Sequence, residues 1–459
     1  MKGVQKLIEI PLDRGTDTPL YLQISLHLKR MIESGALENG SRLPSTRDLA
    51  FNLGVSRTTI LQAYDRLDME GLILQRGRSG AYVCFRKHEK ENTVELCPAL
   101  FDMRTGLPSN DLIPCTILSR LCREVLLEKG EEVLGQSPLY GVPELRRVLV
   151  THAVTRGIPA RREEVLLTSG GREGLSLSMA ALMETGVKHI WLDELTYPDA
   201  FSIARNQYML VRKLPWDHEG ISSVVGTLSN EDALYLVPSF QNPTGRTLPQ
   251  ELRQKILGQS ISKGYWVIED DAYGELRYGA FSVPAMKAMK GSDRVIYIGS
   301  FSQALFPGLR LGYSLMPLGL WNIASDLQTK RSGPVSSLVQ YIVLEFIQRG
   351  YLRDSLDMAR ATIQSRMEAL AEYLGEYLPE CSFNLPSGGI YLWLETPGLE
   401  GDEAERLALT KGVEIASGCG FSWEGKKVQG VRLSVSSLGR TELGLAVKLI
   451  SQAWAPYYK

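Results

Sequence analysis

Several short stretches of this chain gather residue types that do chemistry. Arg57, Thr58, Gln62 and Arg66 fall on one face of a helical repeat that follows Ser56. Cationic and hydroxyl groups on one exposed helix face bond phosphate oxygens and base edges. Arg76 and Arg78 lie in the basic turn Gln75-Arg76-Gly77-Arg78-Ser79-Gly80, whose tip can reach a phosphate or a minor groove. Farther along, three apolar runs end in polar sequence. One enters Ser239-Phe240-Gln241-Asn242-Pro243-Thr244-Gly245 and one enters Asp270-Asp271-Ala272-Tyr273. The third enters Ser300-Phe301-Ser302-Gln303-Ala304-Leu305-Phe306-Pro307-Gly308-Leu309-Arg310. Taken singly, each is a polar loop.

The apolar pattern shows the elements that must position these groups. After Thr18-Pro19, a helix start, Leu20, Ile24, Leu28, Met31 and Ile32 recur at helical spacing. A short helix follows Pro44, with Leu49, Ala50 and Leu53 apolar, and Gly54 allows a tight turn. Ser56 caps a third helix whose Ile60, Ala63, Tyr64 and Leu67 form one buried face. Two helices joined by a glycine turn, the second carrying the cationic face, predict a helix-turn-helix. Leu72–Leu74 and Ala81–Val83, around the basic turn, predict a two-stranded wing. A three-helix protein-binding module shares the periodicity of the helices alone. Residues 84–99 are polar and aperiodic and read as a linker. From about residue 100, short apolar strands alternate with helices. The strands are Val165–Thr168, His189–Leu192, Ala233–Pro238, Tyr265–Glu269, Val295–Gly299 and Leu311–Leu315. This predicts an α/β domain with a mostly parallel sheet, whose functional residues gather at the strand C-termini.

Composition narrows the class. The chain has 459 residues, about three domains' worth by length, and is 44% hydrophobic and 22% charged, which is ordinary for a globular protein. No apolar run reaches the ~18 residues of a membrane span, and the first residues lack the apolar core of a signal peptide. The expectation is a cytoplasmic protein with no membrane partner. Six cysteines lie far apart, with no CxxC and no zinc spacing, so a disulfide scaffold and a structural metal are disfavoured. The net charge of −1 hides an asymmetry: residues 1–90 hold 14 Lys and Arg against 10 Asp and Glu. A mildly basic head on an acidic body suits a small nucleic-acid-binding domain.

Residues 19–83 resemble the winged helix of the GntR family of bacterial regulators. PLYLQI, GSRLPSTRDLAFNLGVSRTTILQAYDRLDMEGLI and GRSGAYV carry the resemblance. It implies DNA contacts by Arg47 and Arg57, with neighbouring Ser45, Thr46, Ser56, Thr58 and Thr59 and the wing residues Arg76 and Arg78. The three polar loops, in this order and spacing, resemble the fold-type I pyridoxal-phosphate enzymes of aminotransferase class I and II, over about residues 100–459. The resemblance implies a smaller C-terminal α+β subdomain beside the parallel sheet. It puts Asp270 at the pyridinium nitrogen, where a carboxylate keeps the ring protonated as an electron sink. It puts Tyr273 and Asn242 at the phenolic oxygen and stacks Tyr197 on the ring. Phosphate falls to Ser300, Ser302, Arg310 and the turn that contains Gly171 and Arg172. Arg432 takes the α-carboxylate of an amino acid. A winged helix over 1–83 followed by such a domain resembles the MocR-type regulators, in which the large domain senses a ligand through pyridoxal phosphate. That resemblance implies a homodimer, an operator with two repeats, and a small amino-acid or amine effector.

The chain departs from the pattern at one decisive place. The family motif has the Schiff-base lysine where this sequence has Gln303. An amide nitrogen, its lone pair delocalised, neither forms an imine nor shuttles a proton. Arg172-Glu173 also departs from the usual phosphate loop, and an ungapped alignment puts Gln136 where the family has Tyr, while a gap would restore Tyr140. An engineered change and a natural loss both account for Gln303; the further departures favour natural loss. The leading expectation is a DNA-binding regulator without transaminase competence. Its cofactor would bind noncovalently or as an external aldimine, or be absent. An active aminotransferase with a DNA-binding head, and a sensor of an amino acid or peptide that uses no pyridoxal phosphate, are the alternatives.

Overall fold

A computed structural model describes residues 10–12, 19–33, 36–37, 40–69, 72–75, 80–83, 100–279, 283–301 and 307–458. The chain divides into two compact units, Met1–Leu96 and Cys97–Lys459. The stretch read as a linker, 84–99, lies outside the described residues, as do Arg76, Arg78, Ser302 and Gln303.

The first unit holds three helices, α1 (Leu20–Glu33), α2 (Thr46–Leu53) and α3 (Arg57–Met69), and two strands, β1 (Ile73–Gln75) and β2 (Ala81–Val83). Ile24, Leu28 and Ile32 of α1 meet Leu49 of α2 and Ile60, Ala63, Tyr64 and Leu67 of α3 in one core. The Tyr64 hydroxyl donates to the Pro44 carbonyl at 2.9 Å, so the one buried phenol of that core is satisfied. Gly54 ends α2 at φ 61, the left-handed turn that lets α3 start three residues later. β1 and β2 pair antiparallel, Ile73 opposite Val83.

The second unit opens with β3 (Phe101–Asp102). Its main sheet has β4 (Val165–Thr168), β5 (His189–Asp193), β6 (Leu210–Leu214), β7 (Asp232–Leu236), β8 (Trp266–Asp270), β9 (Val295–Ser300) and β10 (Gly312–Leu315). Their spatial order is β4-β10-β9-β8-β7-β5-β6. All neighbours are parallel except at β10, which runs antiparallel to both β4 and β9. β7 is buried throughout and β8 and β9 nearly so, as strands covered on both faces must be. The apolar pattern places six of the seven strands; the structure trims Ala233–Pro238 to β7 and adds β6. That strand, LVRKL, lies at the sheet edge with alternate residues exposed, so its two charges interrupt the apolar run.

The C-terminal part is a smaller α+β subdomain. Its sheet is β11 (Ser382–Phe383), β12 (Tyr391–Glu395), β15 (Gly430–Ser434) and β14 (Ala416–Ser417), in that order. β13 (Val413–Glu414) pairs in parallel with β3. The helices Tyr351–Tyr377, Gly401–Thr410 and Arg440–Trp454 complete it. Trp454, fully buried, donates its indole N–H to the Ala404 carbonyl at 3.0 Å and ties two of these helices together.

Candidate DNA-binding head and ligand cleft

In the head, burial of one face of α3 forces the other outward. Arg57, Thr58, Gln62 and Arg66 are exposed, as are Arg47 at the start of α2 and Ser45 and Ser56 at the two helix N-termini; Thr46 and Thr59 are half-buried. Ser45 and Ser56 have a second task. Ser45 accepts the Asp48 N–H at 3.1 Å and Ser56 accepts the Thr59 N–H at 3.1 Å, each capping its helix. Arg57 Nε donates to Thr46 Oγ1 at 3.3 Å, so the starts of α2 and α3 form one continuous cationic and hydroxylic surface.

In the second unit the strand C-termini converge on a cleft. Asp270 is the last residue of β8 and is buried. The Tyr235 hydroxyl, from adjacent β7, donates to Asp270 Oδ2 at 2.8 Å. Burial pushes the Asp270 carboxyl up to about 6, although the Tyr235 hydrogen bond works the other way. The cavity in front of it is lined by Gly171, Arg172, Tyr197, Asn242, Asp270, Tyr273, Ser300 and Arg310, eight of the residues singled out from sequence.

Gly170, at φ 94, precedes the helix Gly171–Glu184, whose N-terminus faces this cavity. A methyl group at Gly170 would lie 3.4 Å from Arg310 Cζ, and one at Gly171 would lie 3.6 Å from Ser300 Cβ. Backbone, hydroxyl and guanidinium therefore approach one point closely, an arrangement that suits a phosphate. Arg172 and Glu173, read as departures, fit this geometry. Arg172 pairs with Asp199 at 3.5 Å and stays on the cavity wall. Glu173 accepts the Ser169 N–H at 2.5 Å and the Ser332 hydroxyl, which braces the turn.

A wider cavity of 510 Å³ adjoins and shares Tyr197, Asn242 and Tyr273; it reaches Arg432 of β15. Arg432 is 8% exposed, with its guanidinium held between the rings of Tyr391 at 3.9 Å and Phe421 at 4.7 Å. Its Nη1 donates to Asn242 Oδ1 at 2.8 Å and its Nη2 to the Arg104 carbonyl at 2.7 Å, while Nε is buried without a partner. Asn242 thus faces Arg432, and Tyr273 packs edge-on against Tyr391 at 5.6 Å. The Tyr197 hydroxyl donates to Asp199 at 2.6 Å.

Three positioning residues escaped the sequence reading. Tyr235 and Tyr391 carry no motif of their own. Gln241 was in a quoted loop without a role: its amide donates to Asp193 at 3.1 Å and to the Leu195 carbonyl at 2.6 Å, and accepts from Thr244. It folds the turn that presents Asn242. Tyr140, half-exposed, packs on Trp321 at 5.1 Å, and neither it nor Gln136 lines the cleft. No lysine is among the described residues that line either cavity. A separate 670 Å³ hollow beside His152 and Arg360 has charges that pair with one another, Glu275 with Arg360 at 3.1 Å. Among the described residues there is no cluster of His, Cys, Asp and Glu fit for a metal ion and no helix long and apolar enough to cross a membrane.

Residues 71–449 match the aminotransferase class I and II family. The chain belongs to that family. Residues 20–83 match the bacterial regulatory proteins of the gntR family, and the two together are the organisation of the MocR-type transcriptional regulators. This MocR-type regulator is 31% identical to a 2-aminoadipate transaminase of Thermus thermophilus, over 78% of this chain and 90% of that one. It is 27% identical to the pyridoxine biosynthesis transcriptional regulator PdxR of Corynebacterium glutamicum, over 84% and 85% of the two chains. Among solved structures it resembles LysN, the α-aminoadipate aminotransferase of Thermus thermophilus, in complex with N-(5'-phosphopyridoxyl)-L-leucine. That match has a TM-score of 0.72 and 28% identity, over 78% of this chain and 92% of that one. The protein is a DNA-binding transcriptional regulator with an aminotransferase-like domain.

Proposed function

We propose that this regulator binds pyridoxal phosphate and an amino acid in the cleft without a covalent bond to the protein, and that it does not transaminate. The observation that carries this reading is one continuous cleft with a buried carboxylate, Asp270, at one end and a caged guanidinium, Arg432, at the other. When bound, the cofactor supplies a protonated ring that draws electron density from an attached amino group. The chain's own residues hold it. Asp270, oriented by Tyr235, keeps a proton on the ring nitrogen. The Gly171 N–H and the Ser300 hydroxyl would donate to the phosphate, Arg172 and Arg310 would offset its charge, and Tyr197, Tyr273 and Asn242 would lie around the ring. Arg432 orients a carboxylate. Gln303 stands where the catalytic lysine belongs and cannot attack an aldehyde or relay a proton. The head, through Arg47, Arg57 and their neighbours, binds operator DNA, and the cleft's occupancy regulates that binding.

A fluorescence titration with pyridoxal phosphate tests the cleft. Wild type should bind saturably and release the ligand on dialysis. Arg310→Met should bind roughly tenfold or more weakly, since a charge-assisted contact is lost. Equal binding by the two proteins would move the site elsewhere.

A further inference from the structure

We infer that the amino acid held in the cleft carries a cationic side chain, which Asp402 and Glu405 receive in the wider of the two cavities. The inference rests on the cleft reading above and names the ligand class of that site.

The wider cavity, at 510 Å³, has room for more than a carboxylate and the carbon that bears it. The charged side chains that line it are Arg104, Asp199, Asp402, Glu405 and Arg432. Three of these are already accounted for. Arg104 pairs with Glu414 at 2.9 Å. Asp199 pairs with Arg172 at 3.5 Å and accepts the Tyr197 hydroxyl at 2.6 Å. Arg432 is buried, its Nη1 and Nη2 make one bond each, and its Nε has no partner. Its guanidinium keeps N–H donors for the carboxylate of a ligand. Asp402 and Glu405 remain. Their helix neighbours Glu400 and Glu403 pair with Lys427 and Arg406 at 2.8 and 2.6 Å, whereas Asp402 and Glu405 have no ion pair among the described residues. Asp402 Oδ1 accepts the Ser417 hydroxyl at 2.5 Å, which leaves its other oxygen unbonded.

Acidic residues gather at helix N-termini because the backbone dipole favours them there. The helix Gly401–Thr410 shows which of its acids face a ligand site. Asp402 and Glu405 stand three residues apart, on one face, and both line the cavity; Glu403 does not. Burial holds the Glu405 carboxyl above its ordinary value, and the charge of Asp402 adds to the rise. An ammonium or guanidinium between the two carboxylates relieves that repulsion and donates to both. An apolar group there displaces their water and returns no hydrogen bond, and a further carboxylate is repelled. Ala416 and the rings of Tyr391 and Phe421 line the same cavity and suit the methylene groups of a long side chain. The carboxylate on Arg432 and the cation on Asp402 and Glu405 together select a basic amino acid.

Three stable probes share one carbon skeleton and differ in the charge at its end: Nα-(5'-phosphopyridoxyl)-L-lysine, N-(5'-phosphopyridoxyl)-L-norleucine and N-(5'-phosphopyridoxyl)-L-2-aminoadipate. Each is titrated into the full chain by calorimetry at low and at high salt. At low salt the lysine probe should bind about tenfold more tightly than the norleucine probe, and the 2-aminoadipate probe more weakly than either. High salt should shrink the lysine advantage. The Asp402→Asn, Glu405→Gln double variant keeps the shape of both side chains and removes their charge. It should bind the norleucine probe as wild type does and show no preference for lysine. Equal binding of the lysine and norleucine probes by wild type, or a lysine advantage that survives in the double variant, overturns the cationic side chain and leaves the cleft reading standing. Failure of all three probes to bind overturns the cleft reading itself, and this inference with it.

Discussion

Burial raises the Asp270 carboxyl to about 6 from an ordinary 3.8, so the folded protein holds that proton more tightly than the unfolded chain. The stability this contributes is complete below 3.8 and is lost as pH rises through 6. Asp270→Asn does not titrate. Relative to wild type, the ligand-free variant should therefore gain stability between pH 4 and 7 and level off above, by at most about 3 kcal/mol. Urea unfolding of the large unit at several pH values measures this; a difference flat in pH would contradict it. At the same scale, residue types were legible wherever a motif carried them. Asp270, Asn242, Tyr273 and Arg310 line one cleft, as the loops that contain them suggested. Tyr235 and the ring cage of Arg432 were not legible. Arg432 lies 190 positions from Asn242, and Tyr235 touches Asp270 only because adjacent strands run in parallel register.

Among the elements, periodicity located α1, α2, α3 and the wing strands because each hides one face in a small core. Most main-sheet strands were legible as short unbroken apolar runs, because both their faces are covered, and β6 was missed because an edge strand hides less. β3 and its pairing with β13 gave no signal at all, since two residues cannot show a period. The exposed face of α3 carries its own prediction. Arg57→Ala should weaken operator binding by about 1–3 kcal/mol if the guanidinium reads a base, and should flatten the salt dependence if it meets a phosphate. The α3 core residues are untouched by this change, so the thermal transition of the head should not move. Gel-shift titrations at several salt concentrations distinguish the two contacts, and unchanged affinity for Arg47→Ala and Arg57→Ala together would remove α2 and α3 from the interface.

For the whole molecule, the head is a DNA-binding module and the aminotransferase-like unit has a cleft with no lysine among its described lining residues. A regulator of this type is expected to act as a homodimer, so a two-fold pair of heads should protect two repeats on one operator. Light scattering at micromolar concentration and footprinting check both; a monomer that protects a single site would contradict the expectation. The central claim is that the cleft takes pyridoxal phosphate without bonding to it. Borohydride reduction of the protein saturated with pyridoxal phosphate, followed by peptide mass analysis, tests that claim most directly. We predict that the cofactor washes away and leaves no pyridoxyl group on any cleft peptide; a pyridoxyl-lysine in the large unit's cleft would show that another amine does the work of the one replaced by Gln303.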